Sequence, residues 1–146
     1  MADKKVTAGA VTDAGPSELP NRPGEPLLKL ALTINKVVFK CADDRKPISV
    51  IVKIFNPTND VVSYKVRCTS AEIFRVQVPV GSLKPQGTID VTLWYHNAQK
   101  LETLSKNHYF AFYHTKVVDP KQLLKDLWVV AKPDGVRRLP VVFEAK

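Results

Sequence analysis

The 146-residue chain lacks the signatures on which most enzymes are built. It has no CxxC, no HExxH, no GxSxG and no glycine-rich phosphate loop. Histidine is scarce, with only His96, His108 and His114. On one predicted strand, His108 and His114 would stand roughly 20 Å apart at the ordinary rise per residue, too far to share a metal. Cysteine is scarcer still, with Cys41 and Cys68 alone. Either thiol beside a histidine would make a nucleophilic pair, but lone cysteines in β-proteins are far more often packed thiols. Long apolar runs are missing too. Leu127–Ala131 is as long as any, against the roughly 18 residues a membrane span needs. Residues 1–11 hold no continuous apolar core of the kind a signal peptide carries. These absences predict a non-enzymatic cytoplasmic protein with two free thiols, no metal, no cofactor and no transmembrane segment.

Aromatic residues are absent from 1–26, where Pro16, Pro20, Pro23 and Pro26 lie among glycines and small polar residues. Such a segment buries too little apolar surface to offset its ordering entropy, which predicts a flexible Pro-rich arm over 1–26 and a single domain over 27–146. The arm holds Lys4, Lys5 and Arg22 against Asp3, Asp13, Glu18 and Glu25, a balance of −1, so with the whole chain at +8 the domain carries +9. A basic domain attracts acidic partners: nucleic acid, anionic lipid or acidic protein segments. The cations are scattered rather than clustered, and no RNA or DNA motif is present, so nucleic acid is not the expected partner.

From Leu27 onward, alternation dominates. Ile48, Val50, Val52 and Ile54 share one face, with Ser49 and Lys53 opposite. Tyr64, Val66 and Cys68 alternate with Lys65 and Arg67, and Ile89, Val91, Leu93 and Tyr95 alternate with Asp90, Thr92, Trp94 and His96. Period two with β-branched and aromatic residues marks half-buried strands. Asn56-Pro57-Thr58-Asn59-Asp60, Val80-Gly81-Ser82, Lys84-Pro85-Gln86-Gly87 and Lys132-Pro133-Asp134-Gly135 carry turn chemistry between the strands. The rhythm predicts an all-β sandwich. One exception is Asp119–Leu127, where Leu123, Leu124 and Leu127 have helical spacing, with Asp119 as N-cap and Pro120 at the first helical position. A short helix is expected there, leading into a last strand at Arg137–Glu144.

The series Leu30-Ala31-Leu32, Val38-Phe39, Ile54-Phe55-Asn56-Pro57-Thr58, Tyr64-Lys65-Val66-Arg67-Cys68-Thr69, Phe74-Arg75-Val76, Pro79-Val80-Gly81 and Ile89-Asp90-Val91 resembles, in order, the pattern of the nematode major sperm protein (MSP) domain. The resemblance spans residues 27–146 and implies an immunoglobulin-like seven-stranded β-sandwich. Two branches compete. The vesicle-associated VAP proteins bind acidic FFAT-type peptides and continue into a coiled coil and a membrane anchor, neither of which is seen here. The sperm branch is short, and its ending resembles Val136-Arg137-Arg138-Leu139-Pro140-Val141-Val142-Phe143. The resemblance therefore implies a cytoskeletal protein of sperm motility, located in the pseudopod. Its partners would be MSP filaments or other MSP-domain proteins, with a homodimer as one form. The VAP-like adaptor is the alternative.

Alternation also offers a candidate protein-binding face: Lys65, Arg67, Thr69, Thr92, Trp94, His108, Phe110 and Phe112. If Tyr64, Val66, Val91 and Leu93 point inward, Lys65, Arg67, Thr92 and Trp94 point outward. The run Asn107–Tyr113 is apolar on both faces, and the expectation places His108, Phe110 and Phe112 outside. By resemblance, Arg67, Thr69, Thr92, His108 and Phe110 match positions of the VAP peptide groove, with Cys68 in place of a threonine and His108 in place of a lysine. The competing expectation is that Trp94, Phe110 and Phe112 pack beneath the helix around Leu123 and Leu127.

Overall fold

The structure, a computed structural model, describes residues 19–98 and 107–146. Along the chain run β1 (Ala31–Leu32), β2 (Val37–Cys41), β3 (Ile48–Phe55), β4 (Val62–Cys68), β5 (Phe74–Gln77), β6 (Val80–Leu83), β7 (Thr88–Tyr95), β8 (Tyr109–Lys116), helix α1 (Leu124–Val130) and β9 (Gly135–Ala145). They form a five-stranded sheet in the order β2-β9-β8-β4-β6, facing a four-stranded sheet in the order β1-β3-β7-β5. Every pairing is antiparallel except that of β9 with β2. The all-β sandwich with one short helix before the last strand is therefore as expected, with nine strands among the described residues in place of seven.

The core follows directly from the alternation. Val52 and Ile54 on β3, Val91, Leu93 and Tyr95 on β7, and Tyr64 and Val66 on β4 are all buried. At one end of the sandwich the filling is aromatic. The rings of Phe74 and Phe110 lie 5.1 Å apart, Tyr95 and Phe143 4.9 Å, and Phe39 and Tyr95 5.6 Å. Five such rings from both sheets bury large areas and prefer these tilted and offset contacts, so they tie the layers together.

The two strands beyond the expected seven include β6, where Val80-Gly81-Ser82 reads as a turn. It pairs with β4 instead, Gly81 lying opposite Tyr64. The glycine serves close packing: a Cβ there would stand 2.7 Å from the Tyr64 ring, whose hydroxyl donates to the Val78 carbonyl at 3.1 Å. The Asn56-Pro57-Thr58 turn is pinned from inside. The fully buried Asn56 amide donates to the carbonyls of Asp60, Leu83 and Lys84, and its oxygen accepts from the Thr58 amide and hydroxyl.

Helix α1 begins later than the Asp119 cap implies. The Asp119 carboxylate accepts from the Lys121 amide at 2.9 Å and closes a local turn, while the helix starts after Leu123 with no side-chain cap. α1 lies against the β4–β6 edge of the five-stranded sheet, where the Trp128 indole donates to the Ser63 hydroxyl at 2.8 Å. This explains why Ser63, on the outward side of β4, is buried.

Of the expected arm, residues 1–18 lie outside the described residues, whereas 19–26 are placed against β9. The Val136 amide donates to the Pro26 carbonyl at 2.9 Å, and isolated bridges join Leu19 to Arg138 and Leu27 to Val136. Pro23 and Gly24 form the corner of a turn closed by the Glu25 amide on the Arg22 carbonyl, with Gly24 at φ 85°, the conformation glycine tolerates best.

Candidate functional site

The eight residues of the expected face fall in four different places. Lys65 and Arg67 do lie on the outer face of the five-stranded sheet. In register across the sheet, Lys65 stands beside Tyr113 and then Val136, and Arg67 beside Ala111 and then Arg138. Thr92 and Trp94 also point outward, but from the four-stranded sheet, on the opposite side of the molecule. There the Trp94 indole donates to Gln77 at 3.1 Å.

Phe110 and Phe112 are corrections. They are 0% and 2% exposed, inside the core, in register with Cys68 and Val66. The strand is offset by one position from the expectation, so Tyr109, Ala111 and Tyr113 face out. Side-chain chemistry decides the parity. A tyrosine hydroxyl retains water or a partner at the surface, whereas phenylalanine gains only from burial. The helix does not cover these rings or Trp94, because it sits on the β4–β6 edge.

Thr69 and His108 meet at the end of the sandwich rather than on either face. The Thr69 hydroxyl and His108 Nδ1 are 2.7 Å apart, and the Tyr109 amide donates to the same hydroxyl oxygen at 3.4 Å. Which of the two donates follows the tautomer of the imidazole. Burial lowers the His108 pKa, and its ring meets Phe74 edge-on at 5.2 Å. His108 thus closes the aromatic end of the core.

What the outer five-stranded face presents is a cation-and-aromatic surface. Lys65 Nζ lies 5.5 Å from the centre of the Trp128 ring, and the Arg138 guanidinium 5.7 Å from that of Tyr109. Both distances are within cation–π range. Ala111, with no bulk of its own, is a floor between Arg67 and Arg138. Arg138 is gripped by Glu25 through both carboxylate oxygens, at 2.6 and 2.9 Å. Its hydrogen bonds hold the Glu25 carboxyl down to about 2, and they raise the guanidinium pKa in turn. Arg22 donates to the Tyr109 hydroxyl at 3.3 Å. Arg67 has no carboxylate partner among the described residues. Tyr109, Tyr113, Trp128 and Arg138 escaped the sequence reading; the tyrosines' need for solvent was the available signal.

Cys41 and Cys68 are free and half-buried, and burial raises both thiol pKa values. They are held as thiols at neutral pH. Among the described residues no group of three or more His, Cys, Asp or Glu side chains is placed to hold a metal ion. No described helix is long and apolar enough to cross a membrane.

The family pattern of the MSP (Major sperm protein) domain matches residues 29–133, most of the sandwich. The chain belongs to the MSP-domain family. An uncharacterized Caenorhabditis elegans protein, R05D3.5, is 48% identical over 153 residues, covering 90% of this chain and 85% of its own. Among solved structures, WR4, a C. elegans MSP family member, superposes with a TM-score of 0.65 at 10% identity, over 79% of this chain and 97% of that one. SSP-19, an MSP-domain-like protein of C. elegans, gives 0.60 at 17% identity, over 73% and 94%. At such identities the two structures speak for the fold. The MSP domain places the cation-and-aromatic face on a scaffold shared with those proteins.

Proposed function

We propose that this MSP-domain protein is a non-enzymatic contact module of the MSP-based motility machinery of nematode sperm, working in the cytoplasm of the pseudopod. It binds MSP filaments or another MSP-domain protein through the outer face of its five-stranded sheet and thereby regulates filament assembly. The observation that carries this reading is the grouping of exposed Arg67 with half-buried Lys65, Tyr109 and Tyr113 on one sheet, with Trp128 of α1 beside Lys65. Aromatic and arginine side chains concentrate binding energy at protein interfaces, and sheet residues are held in place before a partner arrives. Co-sedimentation with assembled MSP fibres tests it. The protein is expected in the pellet and should alter assembly rate; a protein wholly in the supernatant with assembly unchanged refutes the reading.

A second reading, a VAP-like adaptor for acidic peptides, is favoured by one specific feature: Arg138 already holds a carboxylate on this face. Calorimetry with an FFAT-type peptide separates the two. Heat that diminishes in the Lys65→Ala, Arg67→Ala double variant supports the adaptor, and no heat at high peptide concentration removes it.

A further inference from the structure

β9 changes neighbours halfway along. Gly135–Pro140 pair with β8 on one side, while β2 takes the other side only from Val141 to Ala145. On that second side, residues 135–140 would present an open sheet edge, a template for another extended chain. Residues 19–27 fill it. The Val136 amide bonds Pro26, and the Val136 carbonyl accepts from the Asn21 side-chain amide at 3.0 Å, so the same segment satisfies both backbone groups. Glu25 supplies the carboxylate that meets Arg138.

The hold of this segment is almost entirely polar. None of residues 19–27 is fully buried, and Leu27 is 77% exposed. Beneath it runs an open cleft of about 590 Å³ lined by Leu19, Asn21, Leu27, Leu28, Val136 and Arg137, which the segment does not fill. Two cross-strand steps from Arg138, past Ala111, stands Arg67, which has no carboxylate partner among the described residues. An extended segment with two acidic side chains would satisfy both arginines, whereas the chain's own segment satisfies one.

We propose that residues 19–27 are an intramolecular placeholder on a docking edge for an acidic, extended segment of a partner protein, which displaces them. The partner's backbone takes over the Val136 pairing, and its carboxylates take Arg138 and Arg67. Strand addition of this kind draws affinity from main-chain hydrogen bonds and selectivity from side chains. The inference rests on the reading that this face receives acidic protein segments, and adds where the segment lies and what it must displace.

The test uses the full chain and a fluorescent twelve-residue peptide of alternating Glu and Val, with a Gln-for-Glu peptide as control. Glu25→Gln should bind the acidic peptide about tenfold tighter than the parent, equivalent to about 1.4 kcal/mol. The Asn21→Ala, Glu25→Gln double variant should bind tighter still, and the control peptide should bind neither. In the parent at saturating peptide, hydrogen exchange at the Glu25 amide should quicken while the Val136 amide stays protected. Equal affinity in parent and variants, with residues 19–27 still protected, overturns the placeholder and leaves acidic-segment binding standing. No binding by any variant overturns both. A concentration-dependent dimer of the parent that Glu25→Gln dissolves would assign the edge to a second copy of this chain and overturn the proposal.

Discussion

Replacing Asn56 by alanine removes one side chain from the Asn-Pro-Thr turn and unpins three segments together. The carboxamide is fully buried and bonds the carbonyls of Asp60, Leu83 and Lys84 while accepting from Thr58. The two N–H groups, shared among three carbonyls, are worth about 1 kcal/mol each, and the two part-buried acceptances from the Thr58 amide and hydroxyl together about 1–2 kcal/mol, so the loss is roughly 3–4 kcal/mol. For a domain of this size, with an unfolding entropy of about 2.1 cal/mol/K per residue, the melting temperature should fall by about 12–16 °C. Asn56→Asp separates the contributions. A carboxylate still accepts from Thr58 but cannot donate to three carbonyls, so it should be at least as damaging as alanine at neutral pH. Urea denaturation with an unchanged m-value, checked by scanning calorimetry, reads both variants. A loss below about 1 kcal/mol in either variant would show that the turn is held by its backbone and refute this account of the pin.

Phe110→Ala should cost about 3–5 kcal/mol in urea denaturation, as a large side chain leaving a packed core; Arg67→Ala, on the outer face, should stay within about 0.5 kcal/mol. Gly135→Ala should destabilise by about 1–3 kcal/mol, because a Cβ there overlaps the buried His114 ring and lies 2.6 Å from the Leu27 carbonyl oxygen. The Glu25–Arg138 pair gives a pH signature. The Glu25 pKa is depressed from 4.5 to about 2, so its stabilisation is complete above about pH 4.5 and is lost as pH falls through 2. After solvent screening the effect is on the order of 1 kcal/mol. Exchange at the Val136 amide should therefore quicken across that window in the parent and show no such step in Glu25→Gln.

The sandwich was legible because its strands alternate cleanly. Ile48–Ile54 and Ile89–Tyr95 each put an unbroken apolar row on one side, with Ile51 and Trp94 the lone apolar residues opposite, so the period fixes both the strand and its orientation. β8 defeated the same logic. With apolar residues on both faces from Tyr109 to Tyr113, periodicity has no preferred phase, and a shift of one position exchanged Phe110 and Phe112 for Tyr109 and Tyr113. The split of Thr92 and Trp94 from Lys65 and Arg67 was invisible for another reason: both pairs face outward, and sequence does not say which of two sheets a strand joins. Gly81 signals a turn locally, yet a ring from another strand requires it. Asp119 and Pro120 carry helix-start chemistry that a preceding turn uses instead. The packing of residues 19–26 depends on Arg138, more than a hundred positions away, and a composition poor in apolar bulk gave no hint of it.

Whether contact is made by the five-stranded sheet's outer face is tested most directly by matched charge reversals, one on each sheet. Arg67→Glu and Arg75→Glu are both surface changes of equal charge, one on each outer face, compared by co-sedimentation with MSP fibres alongside the parent protein. Arg67→Glu should leave most of the protein in the supernatant, while Arg75→Glu should pellet as the parent does. Equal pelleting of both variants, or loss confined to Arg75→Glu, would contradict contact through that face.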